Sequence, residues 1–169
     1  MADALIKLVA YQPQWPAKFR EEKQYLNTIL RDKVVGSIEH VGSTAVPGLM
    51  AKPVIDIMVG VASLSASTDA IGLLSDNGYC YYPYKPEQMH WFCKPWPEYR
   101  THHVHLIPYN SELWHARLAF RDALRQHPQL AGDYARLKQG LALSYRHDRD
   151  AYSQAKSEFI VSVLRQAKG

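Results

Sequence analysis

The feature that most limits how this chain can fold is the stretch from Ile38 to Val61, IEHVGSTAVPGLMAKPVIDIMVGV. A short apolar segment leads into a loop of small and hydroxyl residues: Gly42, Ser43, Thr44, Pro47 and Gly48. After Lys52-Pro53 comes a run of Val54, Ile55, Ile57, Met58, Val59 and Val61, interrupted by one acid, Asp56. A run this apolar reads as a strand buried on both faces. A carboxylate inside it is costly unless it is paired, protonated or bound to a metal. Asp56 therefore either has a structural partner or faces a cleft and does chemistry. The loop's backbone N–H groups can hold an anion, so acid and loop together suggest a phosphate-handling site. A tight turn beside a hydrogen-bonded Asp is the alternative.

A chain of 169 residues fits a single domain, 1–169, with an α/β part over 1–109 and helices over 110–169. That length buries a sizeable core without staples. No apolar run reaches the ~18 residues of a membrane span, and the opening MADALIKLVAYQPQW lacks the pattern of a secretory signal. Cys80 and Cys93 form neither a disulfide framework nor a zinc knuckle, so a reducing cytoplasm is the expected setting. The net charge of +4 suits acidic ligands such as nucleotides. Without a dense Lys/Arg tract it gives no strong nucleic-acid signal.

Residues 4–11 read as an opening strand. Pro13 and Pro16 precede a helix over 16–31, with Pro16 in its first turn and Trp15 at its entry. Strands are expected at 34–42 and 53–61, and a short helix from Ser63 to Asn77, closed by Asn77-Gly78. Tyr79–Tyr82, Met89–Lys94 and His102–Pro108 are candidate strands, with Pro83, Pro86, Pro95 and Pro97 confining the pairing. Their dense aromatics make either a core or a binding wall. From Asn110 onward the pattern is helical, over 111–126, 129–146 and 150–167, with Asp150 as the candidate N-cap of the last.

Each C-terminal helix carries one base on its apolar stripe. At ~100° per residue, Leu113, Arg117, Phe120 and Leu124 align, with Arg121 beside them. So do Tyr134, Lys138, Leu141 and Tyr145, and again Tyr152, Lys156, Phe159 and Val163. The bases either snorkel, stems buried and heads in water, or make a cationic wall for a polyphosphate. Among eight histidines, His103 and His105 share one face of a strand. They either bind a divalent metal, flank a substrate, or decorate an edge. His40, after Glu39 and just before Gly42-Ser43, either contacts an anion at the loop or hydrogen-bonds within the sheet. His90, His102, His115, His127 and His147 have no partner pattern and read as surface. Neither a Gly-x-Ser-x-Gly elbow nor a Walker A motif is present.

HVGSTAVPGLMAKPVIDI, with AYQPQWPAKF upstream and FRDALRQHPQLAGDYARLK and AYSQAKSEFI downstream, resembles the GrpB (UPF0157) family over roughly Val9 to Ile160. The same domain is found fused to some dephospho-CoA kinases. The resemblance implies an α+β fold like the nucleotidyltransferases, a mixed sheet with flanking helices and a C-terminal helical bundle. It implies phosphate binding by Gly42, Ser43 and Thr44, with Lys52, Lys138 and Lys156 as cationic partners and His40, Arg121 and Tyr152 joining them. It also implies a divalent metal (Mg or Mn, alternatively Zn) on Asp56, and the shared strand face of His103 and His105 makes them the candidates to assist. The superfamily's Asp-x-Asp is incomplete here, because position 58 is Met. The metal then differs, or Glu39 or Glu87 completes the site, or catalysis is lost. The leading expectation is metal-dependent nucleotidyl transfer, or binding of a nucleoside triphosphate or other phosphorylated small molecule, in the cytoplasm. The alternatives are an accessory domain binding a protein partner in folding or coenzyme A metabolism, and a metal-dependent hydrolase using Asp56, His103 and His105.

Overall fold

The computed structural model describes residues 7–168. Helix α1, Trp15–Leu30, begins with Pro16 in its first turn and buries Trp15, Glu22, Leu26 and Leu30 along one side. Five strands form one sheet: β1 Ile38–Val41, β2 Ile55–Val61, β3 Cys80–Tyr82, β4 His90–Trp96 and β5 Tyr99–Pro108. Their order is β1-β2-β5-β4-β3, with β2 and β5 parallel and the other pairs antiparallel. The short α2, Asp69–Ser75, follows a 3-10 turn at Ser65–Ser67. Three helices complete the described chain: α3 Glu112–Gln126, α4 Pro128–Ser144 and α5 Arg149–Lys168. This is the expected α+β architecture, a mixed sheet followed by a helical bundle.

Alternation along the strands gives the sheet two unlike faces. Ile55, Ile57, Val59, Val104, Leu106 and Phe92 pack on one side against Trp15, Leu26, Leu30 and Leu74 of α1 and α2. Val41, Met58, Met89, Trp91, Cys93 and Ile107 pack on the other against Trp114 of α3. A third cluster joins Val46 and Leu49 of the loop after β1 to Leu124, Tyr134 and Phe159 of the C-terminal helices. That cluster pins the helices over the loop.

Several elements depart from the sequence expectation. Of the opening strand, residues 4–6 lie outside the described residues, and the rest contributes one isolated bridge, Val9 to Ala51. The strand expected over 34–42 shortens to Ile38–Val41. Gly36 sits at φ 78° and the Tyr109 ring fills the space a side chain there would need, so the extended chain cannot start earlier. Pro95 does not stop β4, which continues to Trp96. Pairing with β3 covers only Trp91–Cys93, so the missing N–H at Pro95 breaks no rung on that side. The cap of α5 is Asp148 rather than Asp150: Ala151 N–H donates to Asp148 Oδ1 at 3.0 Å. His90 and His102 are not surface residues. His90 is buried and bonded to the Leu64 carbonyl, and His102 is largely buried beside Glu22.

Candidate phosphate-binding cleft

The cleft starts from the register of β2 on β5, which sets Asp56 opposite His103 and Met58 opposite His105. All four side chains point to the α3 face. Asp56 keeps 29% of its side-chain surface exposed, so its carboxylate is reachable from solvent rather than sealed in the core. His103 Nδ1 lies 3.1 Å from Asp56 Oδ1, and His105 Nε2 lies 3.5 Å from the same oxygen. Burial alone would raise the Asp56 carboxyl, but the hydrogen bonds from both imidazoles hold it well below the usual carboxylate range. Burial lowers both histidines, His105 to about 4 with Arg117 adding to the effect. At neutral pH the cluster is therefore an ionised acid held by two neutral imidazole donors.

Gly42 closes one side of this cluster. Its φ is 74°, and a Cβ there would sit 2.6 Å from Asp56 Oδ2. Glycine alone meets both demands. The next two residues point opposite ways. Ser43 accepts a hydrogen bond from Lys138 Nζ of α4 at 2.8 Å. Thr44 instead bonds His40 Nε2 at 2.9 Å, on the α1 side of the sheet. There the His40 ring stacks on Phe19, with centroids 4.8 Å apart, and burial drives its pKa down to about 4. His40 and Thr44 thus take the intra-fold role.

Phe120 and Leu124 of α3, Tyr134 of α4 and Phe159 of α5 pack with Val46 and Leu49 of the loop, while Tyr145, expected on the α4 stripe, is exposed. Lys138 is 2% exposed, and its Nζ also donates to the Met50 carbonyl at 2.8 Å. Burial, then the charge of Lys156, pushes its pKa down to about 7, against the pull of Asp56. Lys52 and Lys156 both lie over the Tyr152 ring, 5.0 and 4.8 Å from its centroid. Lys52 is close enough to lower His103 by its charge. Two buried polar atoms of the cluster, His103 Nε2 and Tyr152 OH, have no hydrogen-bond partner among the described residues. Asp56, Gly42, Ser43, Lys52, Lys138, Tyr152 and Lys156 are thus brought together.

Arg121 points elsewhere. Its Nη1 binds Glu39 Oε1 at 2.8 Å and the His40 carbonyl at 3.2 Å, and its Nε binds Asp122. It covers β1, one of the two edge strands of the sheet, and its pairing also occupies Glu39, one of the acids expected to complete a metal site. Glu87 is exposed in the segment before β4. Arg117, expected from its stripe either to snorkel or to join a cationic wall, instead meets the histidine pair. It reaches from α3 to place Nη1 3.1 Å from His105 Nδ1. The Leu113–Leu124 stripe signals its inward direction but not its partner.

The fit to a metal splits in two. Ligand atoms of Asp56, His103 and His105 all lie within 4.8 Å of one another, a spacing one ion can bridge. A hard Mg²⁺ site needs more oxygen than this. Met58, fully buried, stands where the second acid would project, and Glu39 across from it is ion-paired. The donor set does not suit Mg²⁺.

Sheet order and the Gly42–Ser43 loop ahead of the acid on β2 give the class: an α+β protein, consistent with the nucleotidyltransferase-like fold. The GrpB protein family matches residues 5–166, and the chain belongs to that family. A UPF0157 protein of Pseudomonas aeruginosa is 39% identical over 98% of this chain and 69% of its own length. The UPF0157 protein YqkA of Bacillus subtilis is 32% identical over 96% of this chain, which spans only 47% of that protein. The crystal structure of the conserved protein GrpB from Enterococcus faecalis superposes with a TM-score of 0.84 at 34% identity, covering 95% of this chain and 96% of that one. A dephospho-CoA kinase of Mycolicibacterium paratuberculosis is 38% identical over 47% of this chain and 20% of its own length. Among the described residues no helix is long and apolar enough to cross a membrane.

Proposed function

We propose that the chain binds a phosphorylated small molecule, with a nucleoside triphosphate the leading class, in the cleft between the Gly42–Ser43 loop and helices α4 and α5. The observation that carries this reading is Lys138. A buried ammonium normally sits against a carboxylate, whereas this one donates to two neutral oxygens, lies over the Tyr134 ring, and is depressed by burial and then by a second lysine. A phosphate chain would relieve that repulsion and accept from the third N–H of Lys138. It would also meet Lys52 and Lys156 across Tyr152. Tyr152 OH and His103 Nε2 supply a donor and an acceptor for the rest of the ligand.

Nucleotidyl transfer asks for more. It needs carboxylates that bridge the ions and neutralise developing charge, and Met58 and the paired Glu39 leave Asp56 alone on this face. Binding is therefore the function the geometry supports best. The match to part of a dephospho-CoA kinase favours a second reading, an accessory domain that acts beside a coenzyme A enzyme.

The test is a thermal-shift series with ATP, CTP, GTP, UTP and coenzyme A, on wild type and Lys138→Met. A ligand at ~100 times its Kd stabilises the fold by about 2.7 kcal/mol. A shift with one ligand that disappears in Lys138→Met is expected. A well-folded sample unmoved by all five would overturn the reading and favour a protein partner.

A further inference from the structure

Of the three side chains that approach closely enough to chelate an ion, the two imidazoles each carry one proton, and Arg117 determines where that of His105 sits. A guanidinium only donates. Its Nη1 lies 3.1 Å from His105 Nδ1, so that nitrogen must be the acceptor. The other neighbour of Nδ1, Met89 Sδ at 3.5 Å, is a weak acceptor and does not replace the guanidinium. A neutral imidazole has one N–H, so the proton of His105 is on Nε2, aimed at Asp56 Oδ1 3.5 Å away. His103 behaves alike: its Nδ1 lies 3.1 Å from the same carboxylate oxygen, which can only accept. Its bare nitrogen is then Nε2, and the two nitrogens of one ring diverge, so that lone pair points away from Asp56. Neither histidine presents a lone pair at the carboxylate.

A metal-bound histidine usually has the reverse arrangement, with its outer nitrogen donating to a carboxylate or carbonyl. Here the outer nitrogen of His105 meets a donor. Ligating an ion through Nε2 would move the proton to Nδ1, against the guanidinium. We infer that Arg117 is the resident cation of the Asp56 cluster: it fixes the tautomer of His105 and keeps a chelated metal ion out. Arg117 is thus a positioning residue, and the cleft's positive charge is supplied by Arg117 with Lys52, Lys138 and Lys156. The inference deepens the phosphate-binding reading by making that binding independent of a metal held on Asp56, His103 and His105.

Co²⁺ is the probe, because its visible absorption reports coordination by imidazole and carboxylate. Wild type is expected to stay silent. Arg117→Met, which removes the donors but keeps an unbranched chain, is expected to gain a stoichiometric band that Arg117→Met/His105→Ala loses. A band in wild type that His105→Ala or Asp56→Asn abolishes would overturn the inference, as would a folded Arg117→Met that stays silent. Long-range ¹H–¹⁵N NMR of wild type reads the tautomer directly if the variant does not fold. The Nε2–H form of His105 is expected, and the Nδ1–H form overturns the inference. A tripolyphosphate titration in EDTA judges the phosphate reading separately. Absent binding there, beside a silent Co²⁺ spectrum, would sink that reading and leave the role of Arg117 standing.

Discussion

The two faces of the sheet come from the same strands, one residue out of step, and they have opposite chemistry. On the α1 face, Ile55, Ile57, Val59, Val104 and Leu106 are buried against Leu26, Leu30 and Leu74, and the polar groups of that side pair within the fold, His40 with Thr44 and Glu22 with Tyr79 and Lys94. On the α3 face, the alternate positions are Asp56, Met58, His103 and His105, covered in part by Arg117. The first face stabilises the fold by removing apolar area from water. The second buries polar groups that must be satisfied one by one, and it leaves Asp56 partly open. Stability and ligand chemistry are thus separated by a period of two along the chain.

That separation is easiest to break from the apolar side. Ile57 is completely buried, and Ile57→Ala should cost about 2–5 kcal/mol in denaturant unfolding. Ligand affinity of the folded fraction should stay unchanged. Gly42→Ala acts where the two roles meet. A Cβ 2.6 Å from Asp56 Oδ2 on a backbone at φ 74° should cost about 1–3 kcal/mol and displace the carboxylate. Both unfolding and ligand titration should register it.

Lys138→Met is the reverse of Ile57→Ala. Losing a charge-assisted hydrogen bond of about 1.5–3 kcal/mol should weaken ligand binding ~10- to 100-fold. Calorimetric titration would measure this, while thermal stability without ligand should hold or rise. Lys138 also makes both properties depend on pH. Burial drives the Lys138 pKa down from 10.5 to about 7, so between those values the unfolded chain binds the extra proton and this group makes stability rise with pH. Ligand affinity runs the opposite way. It should fall as pH rises through about 7 and lose that step in Lys138→Met, read by titrations at several pH values.

The sequence carries unequal information about the two faces. The apolar run from Ile55 to Val61 makes β2 visible, and the one acid within it marks the cleft. Helical spacing shows that Lys138 and Lys156 point inward, because a stripe is a local property of one helix. Spacing does not say what lies opposite. Arg117 and Arg121 are one turn apart on α3, yet one reaches His105 and the other caps the edge strand β1. That choice depends on how α3 crosses the sheet, which no local pattern encodes. His90 and His102 look like surface residues for the same reason: their partners, Leu64 and Glu22, are brought in by tertiary contact. Pro95 reads as a strand breaker, but β3 is too short to need its N–H.

The central claim is that a phosphate chain lies between the Gly42–Ser43 loop and Lys138. The most direct measurement is a titration of ¹⁵N-labelled protein with tripolyphosphate, followed by amide and lysine Nζ resonances. Saturable shifts at Gly42, Ser43 and the Lys138 ammonium, absent from Lys138→Met, are the predicted result. Shifts confined to exposed lysines and arginines outside the cleft, without saturation, would contradict it.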